Sequence, residues 1–240
     1  MRFISIFVLI ILSSGCITIY NPATGKKEYY FIPEEYEIEL GRNLAHSIIK
    51  ENKMVKDRDL NIYVRNIGKK IAQVCDRKDL EYHFYIIRSD KVNAFALPGG
   101  YVFVNSKLIE IADEGELAFV LGHEIGHICA RHALKRLQSA LGVQLLMSIA
   151  LKNEPFQVKQ AISIIYNLVS LGYSRQDEFL ADTLGVKYMC RAGYSPYSAI
   201  RFLRKLEDED KNFTLIFLRS HPPIKERIEN IEKKINHLCS

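Results

Sequence analysis

His123, Glu124 and His127 stand in the order H-E-I-G-H, a spacing that lets three side chains work on one ion if the segment is helical. Residues four apart on a helix lie about 40° apart around the axis and about 6 Å apart along it, so both imidazoles can turn to a single cation at about 2.0–2.1 Å. Glu124 is rotated about 100° from His123, which is too far to share that ion but near enough to reach a water beside it. A zinc ion in such a seat lowers the pKa of a water from about 15.7 to about 7. A carboxylate within reach can then take the proton as the water attacks a carbonyl and return it to a leaving amine. H-E-x-x-H on a helix is thus a pattern for metal-assisted peptide hydrolysis.

A catalytic zinc takes three protein ligands and keeps one position open. Glu178, in SRQDEFLADTLG from Ser174 to Gly185, is the candidate for the third. Asp182 lies four residues further along the same helical face. One of these carboxylates would bind the metal, and the other would accept a hydrogen bond from the far nitrogen of a ligand histidine and fix its tautomer. The competing reading is a pair of partly exposed acids bridged to Arg175 or Lys187.

The elements that must position these groups are legible from capping and periodicity. Asp113 and Glu116 form the two ends of a capping box, opening a helix that runs through LAFVLGHEIGHICARHALKRLQ. Its interior glycines, Gly122 and Gly126, cost about 1 kcal/mol each against alanine, which implies a close approach of something to the backbone. Ser174 with Asp177 caps the helix that carries Glu178 and Asp182. Further helices are expected after Pro33, over 57–75, after Pro196 and after Pro222-Pro223. The run 81–89 reads as a strand, and NAFALPGGYVFV, Asn93–Val104, as two short strands around Pro98-Gly99-Gly100. Between them, 139–171 holds two apolar amphipathic stretches of about 13 to 16 residues each, short for a membrane span and suited to core helices or a lid.

With 48% apolar and 25% charged residues, the 240-residue chain is expected to pack a core, and its net charge of +5 is spread rather than blocked, which argues against a nucleic-acid partner. The N-terminus differs: Arg2 precedes the apolar run FISIFVLIIL and then SSGC, the layout of a secretory signal, and of a lipoprotein signal with Cys16 as the lipidated residue. An uncleaved anchor is the alternative, since Phe3–Tyr20 carries no charge. Either places the body of the chain outside the cytoplasm. Cys75, Cys129, Cys190 and Cys239 then allow three pairings, with free buried thiols an equal option for Cys129 and Cys190.

HEIGHICARH, the EFLAD segment and NAFALPGGYVFV together resemble the CAAX prenyl endopeptidase family of zinc metallopeptidases, over roughly Glu34 to Leu238. The resemblance implies an α+β, mainly α-helical, gluzincin-type metallopeptidase domain with a small β-sheet or hairpin beside the active-site helix. It implies His123, His127 and Glu178 as ligands of one Zn2+, Glu124 as general base, Asp182 as the partner orienting His123, and His132 as a structural histidine in the same helix. HPPIKERI, from His221 to Ile228, matches a late family motif. His221 would either donate to the oxyanion or occupy the open metal position, and Arg227 would pair a charge. Asn93, Ala94, Phe95 and Ala96 would form an edge strand against which an extended substrate pairs, or else a buried core hairpin. The expected organisation is a lipoprotein signal over 1–15, a connector over 16–33 and one peptidase domain over 34–240. The function implied is a membrane-tethered endopeptidase acting on misfolded or unassembled envelope polypeptides, lipid-anchored on the periplasmic side of a bacterial envelope, the outer membrane before the inner. A chaperone-like assembly factor with a latent metal site is the alternative.

Overall fold

In the computed structural model the described residues are 17–30, 32–142, 160, 163–164, 172–209 and 224–239. Cys16, His221 and most of the 139–171 stretch lie outside them.

The helix carrying His123, α4 (Glu114–Cys129), is the axis of the molecule. Asp113 and Glu116 close its capping box in both directions, at 2.9 and 3.0 Å. Every residue from Glu116 to Cys129 is buried. A helix apolar around its whole circumference must be packed on all sides, and here it is. On one side lies a three-stranded sheet of β3 (His83–Ile87), β4 (Ala94–Leu97) and β5 (Tyr101–Asn105), in the order β3-β5-β4. β4 and β5 pair antiparallel across the turn at Pro98–Gly100, where Gly99 (φ 73°) and Gly100 (φ 94°) adopt the left-handed conformation that glycine tolerates. β3 pairs with β5 in parallel.

Alternation along β5 divides the core in two. Val102 and Val104 face one cluster, shared with α2 (Arg58–Ala72) and α4, while Tyr101 and Phe103 face a second cluster with Leu40, Leu44 and Ile48 of α1 (Glu34–Glu51). The sheet is therefore sandwiched between helical layers, and both its faces are buried. A short α3 (Ser106–Ile111) leads from β5 toward α4. On the other side of α4 pack α6 (Arg175–Arg191) and α7 (Tyr197–Glu209), with α8 (Ile224–Leu238) laid across both. No described helix is long and apolar enough to cross a membrane.

Three sequence expectations are corrected here. The helix through LAFVLGHEIGHICARHALKRLQ is two helices, because Arg131 takes a left-handed conformation (φ 54°, ψ 33°) and α5 restarts at His132, ending at Leu141. That conformation costs about 1–2 kcal/mol for a non-glycine residue. It is held by Glu34 at 2.6 Å, by Glu37 at 3.2 Å and by the Tyr30 ring, 4.4 Å from the guanidinium. Second, the segment read as a connector contains an antiparallel hairpin, β1 (Ile17–Asn21) and β2 (Lys26–Tyr30). β1, ITIYN, carries the β-branched and aromatic residues of a strand, which the connector reading passes over, while β2, KKEYY, is short and polar. Third, Cys190 is not a free thiol: it pairs with Cys239, tying the ends of α6 and α8, while Cys75 and Cys129 are free and buried.

Candidate metal centre

Three glycines decide how closely the helices that carry the candidate ligands approach. A Cβ on Gly122 would stand 2.9 Å from the Gly185 carbonyl oxygen, and one on Gly126 would stand 3.0 Å from that of Ala181. Gly185 reciprocates, since its Cβ would meet the His123 backbone nitrogen at 2.8 Å. The stripe of small residues lets α4 and α6 touch backbone to backbone, which brings Glu178 and Asp182 under His123 and His127. This is the close approach that the glycines in the sequence implied.

The two Nε2 atoms of His123 and His127 face each other at 3.0 Å. Glu178 Oε2 is 3.5 Å from His123 Nε2, and Oε1 is 3.6 Å from His127 Nε2. These three residues form the only group among the described residues whose ligand atoms gather to hold a metal, all within 4.8 Å of one another. Bonds of about 2.0–2.1 Å in a tetrahedral shell separate neighbouring ligand atoms by about 3.3 Å, so the spacing fits. The charge fits as well. Glu124, Glu178 and Asp182 are at most 2% exposed, and Arg227, fully buried, is the guanidinium among them. Glu178 and Asp182 against one guanidinium leave a negative charge in a buried place, with Glu124 beside them, a costly state that a divalent cation relieves. The same demand for positive charge shows in His123: burial would lower its pKa, but Asp182 and Glu178 outweigh burial and raise it to about 9.

Each histidine is held from behind. His123 Nδ1 lies 2.9 Å from Asp182 Oδ1, so Nδ1–H donates to the carboxylate and the Nε2 lone pair is left for the ion. Asp182 is itself gripped by Arg227 from α8, through Nε at 2.8 Å and Nη2 at 2.6 Å. Burial would raise the Asp182 carboxyl, yet the Arg227 charge and hydrogen bonds hold it below the usual carboxylate range. Neither acid of α6 makes the surface pair considered from sequence: Arg175 meets Glu226, and Lys187 meets Asp76.

His127 has a longer support. Its Nδ1 is 2.8 Å from His132 Nδ1, and His132 Nε2 is 3.3 Å from Asp177 Oδ1. With Nε2 of His127 given to the ion, Nδ1–H donates to His132, whose Nε2–H then points to Asp177. Burial lowers the His132 pKa to about 4, which suits the neutral ring that this direction requires. On one straight helix, residues five apart point about 140° away from each other. The left-handed Arg131 is what folds His132 back onto His127. Tyr173 stacks on the far face of His127, ring centroids 4.2 Å apart. Sequence reading missed Asp177 and Tyr173 in this cluster, and it gave His132 no partner, because the break at Arg131 leaves no local signature.

Glu124 sits beside these three residues and is not part of the group whose atoms gather. The Ala96 backbone N–H donates to it, and its Oε1 is buried without a hydrogen-bond partner among the described residues. Burial pushes its pKa up to about 7. Because the Ala96 N–H turns away from β5, the alternation of the ladder gives Ala94 the same outward orientation. β4 is thus an edge strand among the described residues, and its backbone side away from β5 runs toward Glu124, while Asn93, Ala94, Phe95 and Ala96 all have buried side chains.

A family model described as peptidase family M48 matches residues 59–235. The chain belongs to peptidase family M48. It is a metallopeptidase by that membership, and the match spans α2 to α8, with every ligand candidate inside it. Relatives include the mitochondrial metalloendopeptidase OMA1 of Schizosaccharomyces pombe, 26% identical over 220 residues, covering 89% of this chain and 65% of the relative. The beta-barrel assembly-enhancing proteases of Yersinia pestis and Escherichia coli are 27% and 24% identical, covering 85% and 84% of this chain but 45% and 44% of those proteins. The chain therefore spans between 44% and 65% of the length of these relatives.

Proposed function

We propose that the chain is a zinc-dependent endopeptidase of the bacterial envelope, tethered to a membrane by its N-terminus, that hydrolyses misfolded or unassembled envelope polypeptides. The observation that carries it is the convergence of His123, His127 and Glu178 beside a buried Glu124 of raised pKa. Two imidazoles and one carboxylate suit zinc. When bound, such an ion would polarise the scissile carbonyl and make water acidic near neutrality. The protein does the rest. The Ala96 N–H holds Glu124, whose carboxylate takes the proton of the attacking water and delivers it to the leaving amine. The outward backbone of Ala94 and the outward carbonyl of Ala96 offer a rail for an extended substrate strand. Asp182 and His132 keep each ligand ring in its tautomer.

Residues 34–240 would form one peptidase domain behind a signal over 1–15, with Cys16 lipidated. His221 would act at the open side of the metal, as oxyanion donor or as a displaceable ligand. The choice of envelope substrates is supported by the relatives named for enhancing β-barrel assembly, and the tether by the apolar N-terminal run.

The experiment is cleavage of an unfolded polypeptide by purified wild type and Glu124→Gln, with metal content measured on both. The expected outcome is equal metal and a loss of about 10²–10⁴-fold in rate, the usual worth of a general base. Undiminished cleavage by the variant would remove the mechanism. A wild type that holds metal and cuts nothing would favour the assembly-factor alternative.

A further inference from the structure

The β1–β2 hairpin has two unlike faces. One is locked to the body: Tyr30, 1% exposed, lies under Arg131, Asn21 Nδ2 donates to the Cys129 carbonyl at 3.2 Å, and Lys135 reaches Glu28 at 2.8 Å. The other carries Tyr20 and Tyr29, 60% and 68% exposed, with exposed Lys27 between them. The register, Tyr20 opposite Lys27 and Thr18 opposite Tyr29, makes the two tyrosines diagonal neighbours, about 7–8 Å apart. They put two exposed aromatics on one sheet face; the other large apolar side chains left in water among the described residues are Ile62 and Tyr63 on α2 and Tyr197 on α7. The face is also tied to an apolar segment. Cys16, the residue proposed to carry the lipid, directly precedes Ile17, and FISIFVLIIL, if kept as an uncleaved anchor, ends at Leu12, five positions before Ile17, a reach of at most about 17 Å.

We infer that the outer face of this hairpin rests on a lipid surface, with Tyr20 and Tyr29 at the level of the headgroups and Lys27 against anionic lipid phosphates. Tyrosine concentrates at such interfaces because its ring is apolar and its hydroxyl wet, and a lysine beside it gains from the negative surface potential. The inference rests on the tether proposed above, and it adds an orientation. Asn21 holds the carbonyl of Cys129, two residues beyond His127, so the C-terminal end of α4 faces the membrane. One hairpin layer and a fraction of a helical turn then separate the metal seat from the lipid, on the order of 10–15 Å. The polypeptides within reach are those held close to the bilayer.

The chain contains no tryptophan, so a single introduced indole reports its own surroundings. Tyr29→Trp and Tyr197→Trp are made in the full chain and reconstituted into phosphatidylethanolamine–phosphatidylglycerol vesicles carrying brominated acyl chains. Tyr197, 62% exposed, is the control, because its neighbour Ser198 packs on Gly115 at the opposite end of α4. Flotation reads the tether, indole emission reads the hairpin, and cleavage of a soluble peptide by the same vesicles reads the peptidase. The expected result is that the chain floats with the vesicles and that Tyr29→Trp shifts to the blue and loses most of its emission to bromine, while Tyr197→Trp does neither. Flotation with equal quenching at both positions overturns the inference and leaves the tether standing. Protection of Tyr29→Trp from aqueous iodide without quenching by bromine also overturns it, and points to a protein covering the face. A chain that does not float overturns tether and hairpin together.

Discussion

Adding one methyl group to Gly185 should weaken metal binding, although nothing about that residue is chemical. Gly185 lies on α6, three residues after Asp182 and seven after Glu178. Its Cβ would stand 2.8 Å from the His123 backbone nitrogen and 3.1 Å from its Cα, where ordinary contact begins at 3.4 Å. The obstructing atoms are backbone of a fully buried helix, so the overlap can be relieved only by moving α4 and α6 apart by about 0.6 Å, the difference between 3.4 and 2.8 Å. Metal bonds tolerate about 0.2 Å. Alanine in a helix interior would ordinarily stabilise by about 1 kcal/mol. Overpacking of this kind costs about 1–3 kcal/mol instead. Gly185→Ala is therefore expected to lower stability in urea, against the helix-propensity trend, and to loosen zinc in chelator competition by about 10–100-fold, as losses of ligand support do. A variant as stable as wild type with unchanged zinc affinity would refute the claim that the glycine contact sets the ligand geometry.

Arg227→Met leaves Asp182 buried without its guanidinium and should destabilise by about 3–5 kcal/mol, read by urea denaturation; a change under about 1 kcal/mol would show that the pair is not what holds α8 to α6. His132→Phe removes the acceptor behind His127 while keeping a ring of similar size, and zinc affinity should fall about tenfold to hundredfold, with a smaller loss for Asp177→Asn; equal affinities would contradict the support chain. Cys239→Ser releases a closure between residues 49 apart and should cost about 2–4 kcal/mol under oxidising conditions and nothing further under reducing ones, measured by thermal unfolding.

The parts of this centre that could be read beforehand were those written in local sequence. The Asp113–Glu116 and Ser174–Asp177 boxes announce both helix starts, and the spacings His123–His127 and Glu178–Asp182 announce which side chains share a face. Gly122 and Gly126 announce a close neighbour without naming Gly185. What could not be read is set by contacts far apart in the chain. The parallel pairing of β3 with β5, the grip of Arg227 on Asp182 across 45 residues and the Cys190–Cys239 bridge have no local pattern. The turn of His132 onto His127 depends on Arg131 being held left-handed by Tyr30 of β2 and by Glu34 and Glu37 of α1, contacts far apart in the chain that leave no local pattern.

The most direct test of the centre is metal stoichiometry after equilibrium dialysis, for wild type and Glu178→Ala side by side. Convergence of His123, His127 and Glu178 on one ion predicts one zinc per chain in wild type and a loss of most of it in the variant, with the fold intact by circular dichroism. Full zinc retention by Glu178→Ala, or a wild type that binds none, would contradict it.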